Sequence, residues 1–449
     1  MEDTIAAIST SLGVGAISII RVSGNDAINI VNSIFKGSNL LEKETHTITY
    51  GHIIEENKII DEVLISIMKA PKSFTMEDVV EINCHGGITT TNKVLELLLN
   101  NGCRLAEPGE FTKRAFLNGR IDLTQAEGVM DLINSKTEKS RNLAITQLNG
   151  STSNLIKELR QKIVNIISNI EVNIDYPEYD DIEVLTTQKI KPDLKKLIEE
   201  LRNIINKSET NKIIKDGIDV LIIGRPNVGK SSLLNRLLEE EKAIVTDIEG
   251  TTRDIVEGKI NLDGIILNII DTAGIRKTED IVEQIGVQKS LDLIKKSDLI
   301  LFMVNNNQEL NNEDRKIIDL LKNKNHIIII NKSDLESKIN KEELSNVVEI
   351  SVKNNIGIDK LERKIKEIFN LGNIETDDLS YLSSARSISL LKKSLNNLLS
   401  AENGIDNDYP IDMVEIDIKE AWNNLGEIIG ETYEEELLDQ LFSQFCLGK

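Results

Sequence analysis

Cysteine is nearly absent from this chain. Its three cysteines, Cys84, Cys103 and Cys446, are too few and too far apart for a disulfide framework or a zinc cluster, and they suit a reducing compartment. Aromatic residues make up 3% of the sequence, with Trp422 the single tryptophan, so recognition of RNA by base stacking has little to work with. Long apolar runs are missing too: the longest, such as Ile327 to Ile330, are of strand length, and none could span a bilayer. The chain opens Met1-Glu2-Asp3 with no basic segment ahead of an apolar core, and we expect a cytoplasmic protein with no membrane association. Basic charge is in deficit: 53 lysines and arginines face 74 acidic residues, a formal charge of −21. That mean field repels phosphate, which excludes coating of nucleic acid by bulk electrostatics and leaves room only for local RNA contact. No sustained repeat or low-complexity tract is visible.

What is present is a long chain with ample core material. At 449 residues and 40% apolar content, two or three domains are expected. Residues 1–118 alternate short apolar runs with turns and predict an α+β domain: strands over Ala16 to Val22, Thr47 to Ile54 and Glu62 to Met68, helices over Asp26 to Phe35 and Thr90 to Leu99. From residue 119 to 215 the spacing of Leu123, Ala126, Val129 and Ile133, then of Ile156, Leu159, Ile163, Ile166, Ile167 and Ile170, predicts helices. Pro177, inside the acidic run Asp175 to Asp181, interrupts them. Residues 216–372 alternate strands and helices, the pattern of a doubly wound α/β sheet. Residues 373–449 turn helical again, so the α/β domain is expected to be inserted between two halves of a helical domain.

The clearest chemistry lies in that inserted part. Gly224-Arg225-Pro226-Asn227-Val228-Gly229-Lys230-Ser231 has the spacing of a phosphate loop, and it sits between a predicted buried strand, Asp219 to Ile223, and a predicted helix, Ser232 to Leu238. Backbone N–H groups and the helix dipole then converge on phosphate, with Lys230 supplying charge to the β and γ phosphates and the Ser231 hydroxyl placed for Mg²⁺. Four more motifs follow in order, three of them where a strand should end. Gly250-Thr251-Thr252-Arg253-Asp254 brings Thr252 toward Mg²⁺. Asp271-Thr272-Ala273-Gly274 follows Ile265 to Ile270 and gives Asp271 a water-mediated hold on Mg²⁺ and Gly274 an N–H for the γ-phosphate. Asn331-Lys332-Ser333-Asp334 follows His326 to Ile330, and a carboxylate there accepts two hydrogen bonds that guanine offers and adenine does not. Ser351-Val352-Lys353 follows Val347 to Ile350 and is expected to close over the guanine carbonyl. A GTP-hydrolysing enzyme is the expectation.

The residue directly after Asp-Thr-Ala-Gly is Ile275, which cannot orient a water molecule. A carboxylate among Glu279, Asp280 and Glu283 is the expected substitute. Arg253 and Arg276 are available as transition-state cations or as plain surface charges, and a monovalent cation held in part by Asn227 is a further source of positive charge.

The chain resembles the MnmE family of tRNA uridine-modifying GTPases, also called TrmE, over essentially its whole length. The phosphate loop, Ala243 to Asp254, Asp271 to Arg276, Pro108 to Thr112, Ala115 to Arg120 and the terminal Phe445-Cys446-Leu447-Gly448-Lys449 carry the resemblance. It implies a folate-binding-like, dimerising N-terminal domain, a helical domain and an inserted Ras-like P-loop GTPase domain. It implies K⁺ coordinated by Asn227, Thr246, Ile248 and Thr251, Mg²⁺ held by Ser231 and Thr252, and Glu283 as the water-orienting carboxylate. The nucleotide-contacting set extends over Asn227, Val228, Gly229, Lys230, Ser231 and Ser232, then Thr246, Asp247, Ile248, Glu249, Gly250, Thr251 and Thr252, then Asp271 to Gly274, Asn331, Lys332, Asp334, Ser351, Val352 and Lys353. Folate positions fall on Arg21, Glu81, Arg120 and Lys449, with 5,10-methylene-tetrahydrofolate as carbon donor and 5-formyl-tetrahydrofolate as an analogue. The implied chemistry is addition of a carboxymethylaminomethyl-type group to C5 of the wobble uridine of certain tRNAs, by a homodimer working with an FAD-binding partner of the MnmG (GidA) type. Two positions depart from the family: the loop Ser9 to Gly15 lacks the usual prolines, and Arg120 stands where lysine is common, replacing a point charge by a planar fork.

Several residues carry two readings. Cys446 is a thiol acting near the base or folate, or a small buried residue of a packed tail. Cys84 and His85 are neighbours on a strand and point to opposite faces, which favours structure over a reactive pair. The acidic run Asp175 to Glu183 is a docking patch or a solvated connection, and Trp422 is expected in the core. Two rival functions remain: a ribosome-assembly GTPase that modifies nothing, and a folate-dependent transferase with GTP as regulator.

Overall fold

The computed structural model describes residues 3–175, 182–239, 258–270, 293–369, 371, 379–433 and 435–448. The chain divides into two compact units, Met1–Met130 with Trp422–Lys449, and Asp131–Ala421.

The first unit is built on a sheet of β1 (Ile5–Ile8), β2 (Ile17–Ser23), β3 (Phe35–Gly37), β4 (Thr47–Glu55), β5 (Lys58–Met68), β6 (Val79–His85) and β7 (Arg104–Leu105). Their spatial order is β3-β4-β5-β6-β2-β1-β7, antiparallel throughout except for the β1–β7 pair. Alternation decides the faces: Val63, Ile65 and Ile67 of β5 are buried, while Leu64 between them is exposed. The buried face meets α1 (Ala27–Ser33) and α2 (Ile88–Asn100) through Ala27, Val31, Val94 and Leu98. α3 (Glu110–Leu117) carries Arg114, whose guanidinium is almost fully buried yet paired with Asp3, Glu77 and Glu110. A buried cation persists only with such partners. Phe116, Leu123 and Ala126 pack with Leu438, Phe442 and Phe445, which brings the end of the chain onto this unit.

The second unit holds most of the long helices: α5 (Glu138–Leu148), α6 (Ser151–Asp175), α7 (Ile182–Asp216) and α11 (Ala385–Asp406); α4 (Leu123–Asn134) and α12 (Ile411–Ile429) each have one end in it. Pro177 and most of the acidic run, at 176–181, lie outside the described residues; α7 continues through Pro192. Gly217 alone separates α7 from the next strand. Its φ of +87° and a carbonyl, that of Ile266, only 2.5 Å from where a Cβ would stand leave no place for a side chain. Asn268 fastens this joint by donating to the Asp216 carbonyl (3.1 Å) and to Asp219 Oδ1 (3.0 Å).

A six-stranded sheet follows: β8 (Ile218–Gly224), β9 (Lys259–Leu262), β10 (Ile265–Ile270), β11 (Leu299–Asn305), β12 (His326–Asn331) and β13 (Val347–Glu349), in the order β13-β12-β11-β8-β10-β9. All neighbours run parallel except the β9–β10 hairpin. Every residue of β11 and β12 is buried, as expected when helices cover both faces. Leu299, Leu301 and Met303 face one core, with α8 (Lys230–Glu239) and α10 (Ile358–Ile368); Ile300, Phe302 and Val304 face the other, with Leu321 of α9 (Asn312–Leu321). This is the doubly wound arrangement expected from the sequence, and it puts the loops after β8, β11, β12 and β13 at one edge. Among the described residues no helix is long and apolar enough to cross a membrane.

Candidate functional site

The loop after β8 turns on backbone conformations that its residues make available. Gly224 has φ +148°, and a Cβ there would stand 2.4 Å from the Met303 carbonyl; Gly229 has φ +101°, and its Cβ would stand 2.3 Å from Asn331 Nδ2. Both positions therefore require glycine. Asn227 sits between them at φ +61°, a conformation that asparagine tolerates better than most residues. α8 starts at Lys230, and the Leu233 N–H closes its first turn onto the Gly229 carbonyl at 2.9 Å. The Lys230 ammonium folds back over the loop and donates to the carbonyls of Gly224 (2.8 Å) and Arg225 (2.9 Å). Burial pushes its pKa below the usual lysine range, so a cation stands where charge is disfavoured unless an anion joins it. Ser231 and Ser232 follow in the first helical turn, both exposed.

The loops after β12 and β13 meet this one through Asn331. Its Nδ2 donates to the Val228 carbonyl at 2.8 Å, and its Oδ1 accepts from the Val352 N–H at 3.2 Å. Lys332, itself at φ +61°, reaches the Asn227 carbonyl at 3.1 Å. The wholly buried Ser351 donates to Asp334 Oδ1 at 2.6 Å. That hydrogen bond, with the nearby charges of Lys353 and Lys332, holds the Asp334 carboxyl below its ordinary pKa. Asp334 is exposed and fixed by one oxygen, so it presents an ionised acceptor at the mouth of the site. Asn227, Val228, Gly229, Lys230, Asn331, Lys332, Asp334, Ser351 and Val352 are thus brought together, and Lys353 lies exposed beside them. Thr246 to Thr252, Asp271 to Gly274, the carboxylates Glu279, Asp280 and Glu283, Arg253 and Arg276 lie outside the described residues.

The sequence did not reveal one participant. Arg225 forms an ion pair with Asp314 (3.1 Å) and donates to the Glu309 carbonyl (3.3 Å). The signal available was the Asn311-x-x-Asp314 capping pair, which marks where that carboxylate is held.

In the first unit, Arg21 and Glu81 are cross-strand partners of β2 and β6. Arg21 Nε and Nη2 both donate to Glu81 Oε1, at 2.9 and 2.7 Å. Its Nη1 approaches the Gly448 carbonyl at 3.4 Å, which Ser9 Oγ also reaches at 3.2 Å. The Arg21 guanidinium stands 5.6 Å over the Phe111 ring and that of Arg120 stands 4.8 Å over Phe74, two rings of one small cluster. Arg120 is further held by the Phe74 carbonyl at 2.8 Å. Lys449 lies outside the described residues. Cys446 is exposed, which removes the alternative of a small buried residue in the tail, and its carbonyl accepts from Gly109 N–H at 3.3 Å. Cys84 and His85 point apart as expected: Cys84 is buried with its thiol pKa pushed up by burial, while exposed His85 pairs with Asp61 at 2.7 Å. Trp422 is half-buried rather than central to a core.

A parallel doubly wound sheet whose first strand ends in a phosphate loop, bound through one asparagine to an Asn-Lys-x-Asp loop, defines a P-loop guanine-nucleotide-binding protein. Two family models cover nearly the whole chain: the GTP-binding protein TrmE N-terminus matches residues 4–120, and the MnmE helical domain matches residues 123–446. The tRNA modification GTPase MnmE of Streptococcus thermophilus is 54% identical over 450 residues, covering 100% of this chain and 98% of its own. That of Bacillus cytotoxicus is 53% identical over 455 residues, covering 100% and 99%. The chain belongs to the MnmE family, also called TrmE, and is a GTPase.

Proposed function

We propose that this GTPase drives modification of the wobble uridine of certain tRNAs, adding a carboxymethylaminomethyl-type group at C5. The observation supporting the nucleotide half is Asn331, whose side chain ties the phosphate loop to the base loop while Asp334 stays open to a guanine edge. The tRNA half is supported by relatives named tRNA modification GTPase at 54% and 53% identity over their full length.

In this proposal Lys230 leaves the loop carbonyls for the β and γ phosphates, and Asp334 selects guanine while Ser351, Val352 and Lys353 close over its carbonyl. Asn227 offers a carboxamide oxygen and Ser231 a hydroxyl, both exposed at the loop; such oxygen donors fit hard cations. Mg²⁺ is assigned to Ser231 and Thr252, and K⁺ to Asn227, Thr246, Ile248 and Thr251. These ions supply positive charge beside the phosphates. Glu283 orients the attacking water. In the N-terminal domain the guanidinium groups of Arg21 and Arg120, each set over a ring of one cluster, suit the anionic and carbonyl groups of 5,10-methylene-tetrahydrofolate, with Glu81 and Lys449 completing the set. The exposed Cys446 thiol is assigned to the same end of the reaction. Hydrolysis alkylates nothing, so it must be coupled to a conformational step in a homodimer joined by an FAD-binding partner of the MnmG type. The proposed domains are 1–118, 119–215, 216–372 and 373–449, in a cytoplasmic protein.

The test is mass spectrometry of wobble nucleosides in tRNA from cells lacking the protein, with wild-type or Lys230→Ala chains restored. Loss of C5-modified uridine on deletion and its return with wild type alone supports the proposal. Unchanged nucleosides refute tRNA modification and favour a regulatory GTPase of ribosome assembly. Equal hydrolysis rates in K⁺ and Na⁺ would remove the K⁺ assignment, and hydrolysis that survives Glu283→Ala but dies with Glu279→Ala would reassign the water-orienting carboxylate.

A further inference from the structure

Resting on that nucleotide site, we infer that Arg225 is a positioning residue: it anchors the leading end of the phosphate loop to the β11–α9 loop and the first turn of α9, keeping the site formed before nucleotide arrives. Arg225 directly follows Gly224, and its guanidinium pairs with Asp314 at 3.1 Å and donates to the Glu309 carbonyl at 3.3 Å. The Asp314 side chain is only 1% exposed. Asp314 already serves α9, since its Oδ2 accepts from the Asn311 N–H at 3.0 Å and its own N–H donates to Asn311 Oδ1 at 2.8 Å. That reciprocal cap, at a helix end that favours negative charge, is complete without an arginine. The cap does not depend on the ion pair, which neutralises the buried carboxylate and at the same time ties the start of α9 to the phosphate loop.

The trailing end of the same loop is held by Asn331 at the Val228 carbonyl (2.8 Å). Asn331 is in turn tied to the β11–α9 loop, because its carbonyl accepts from the Asn306 N–H at 2.8 Å, and Asn306 Nδ2 donates to the Leu335 carbonyl at 2.9 Å. One segment, 306–314, thus braces both ends of the phosphate loop. Between the braces stands Asn227 in the left-handed region at φ +61°, which asparagine tolerates at a modest cost and which the two braces help to hold. Releasing the Arg225 end lets the loop leave this shape, so each nucleotide must order it again on binding. GTP and GDP weaken together, whereas selection of guanine over adenine, which belongs to Asp334, is unchanged.

The full-length chain carrying Arg225→Met keeps the apolar stem and loses the charge. Its KM for GTP and Kd for GDP are expected to rise about tenfold, with kcat changed by no more than about twofold. Arg225→Lys should recover part of the loss. Arg225→Met also leaves Asp314 buried without its cation, which lowers the thermal midpoint; adding Asp314→Asn should restore that midpoint while KM stays high. KM and Kd within about twofold of wild type in Arg225→Met overturn the anchor, as does recovery of KM together with the midpoint in the double variant, which would make the arginine a stabilising residue only. Wild-type protein that binds neither GTP nor GDP would overturn the nucleotide site itself, a failure distinguishable from that of the anchor.

Discussion

Replacing Gly229 by alanine probes the join between the phosphate and base loops. The new methyl would stand 2.3 Å from Asn331 Nδ2, closer than any real Cβ contact, and it would sit on a backbone at φ +101°. Left-handed backbone costs an L-residue roughly 1–2 kcal/mol. Asn331 must also swing away from the Val228 carbonyl, and losing that hydrogen bond costs about 1 kcal/mol. If the loop escapes both penalties in the free protein and meets them again on binding, nucleotide affinity falls by about 2–3 kcal/mol, roughly 30- to 150-fold. Fluorescence titration with GDP and with a non-hydrolysable GTP analogue measures this directly. Gly119→Ala is the control: its φ is +75° but nothing lies within 4 Å of the added carbon, so it introduces backbone strain with no clash. Nucleotide binding by Gly229→Ala within about threefold of wild type would refute the claim that the Asn331 join sets the shape of the site.

Asp334→Asn replaces an acceptor pair by one acceptor and one donor. GTP hydrolysis is expected to collapse while xanthosine triphosphate, whose base carries a carbonyl where guanine has an amine, becomes the better substrate; steady-state kinetics with both nucleotides decides it. The hydrogen bond and charge of Asp61 raise the pKa of His85, so their pair stabilises the fold fully below the ordinary histidine pKa and loses that contribution as pH rises through the raised value. His85→Gln should therefore lower the thermal midpoint at about pH 5.5 and leave it unchanged at about pH 8.5, and an equal loss at both would show that the pair carries no charge.

The described part of the nucleotide site was legible because its residues lie in short contiguous motifs, those after β8, β12 and β13 each at the end of an apolar strand. Ile265 to Ile270 is a strand over the limits that its composition suggested, and β8 and β12 differ by a residue at their ends. Distant pairings were not legible. Strand β6 was read only at Cys84 and His85, although Val80, Ile82 and Cys84 alternate with Glu81, Asn83 and His85 as a half-buried strand should; its pairing with β2, which sets Arg21 opposite Glu81, is a tertiary contact that no local pattern shows. The return of Gly448 to Arg21 spans 427 positions, a contact that no local pattern encodes. Arg225 was read only as part of the phosphate-loop spacing, since its partner Asp314 lies 89 positions downstream and is brought to it by the fold. Pro192 shows the reverse: a residue that ordinarily ends helices lies inside α7, whose buried face through Ile190, Leu194 and Leu197 keeps the helix intact.

Gly217 has a mechanical consequence. A helix of 35 residues extends about 50 Å and meets β8 across this single residue, with no slack chain between them. The joint is also closed on its other side, since the Gly217 N–H is held by the Ile213 carbonyl at 2.9 Å and the strand carrying Ile266 leaves no clearance. Such a joint behaves as a fulcrum. A tilt of about 5° at Gly217 would carry the far end of α7 through about 4 Å, so a displacement of β10 too small to disturb the sheet becomes a stroke as large as a side chain at the remote end of the lever.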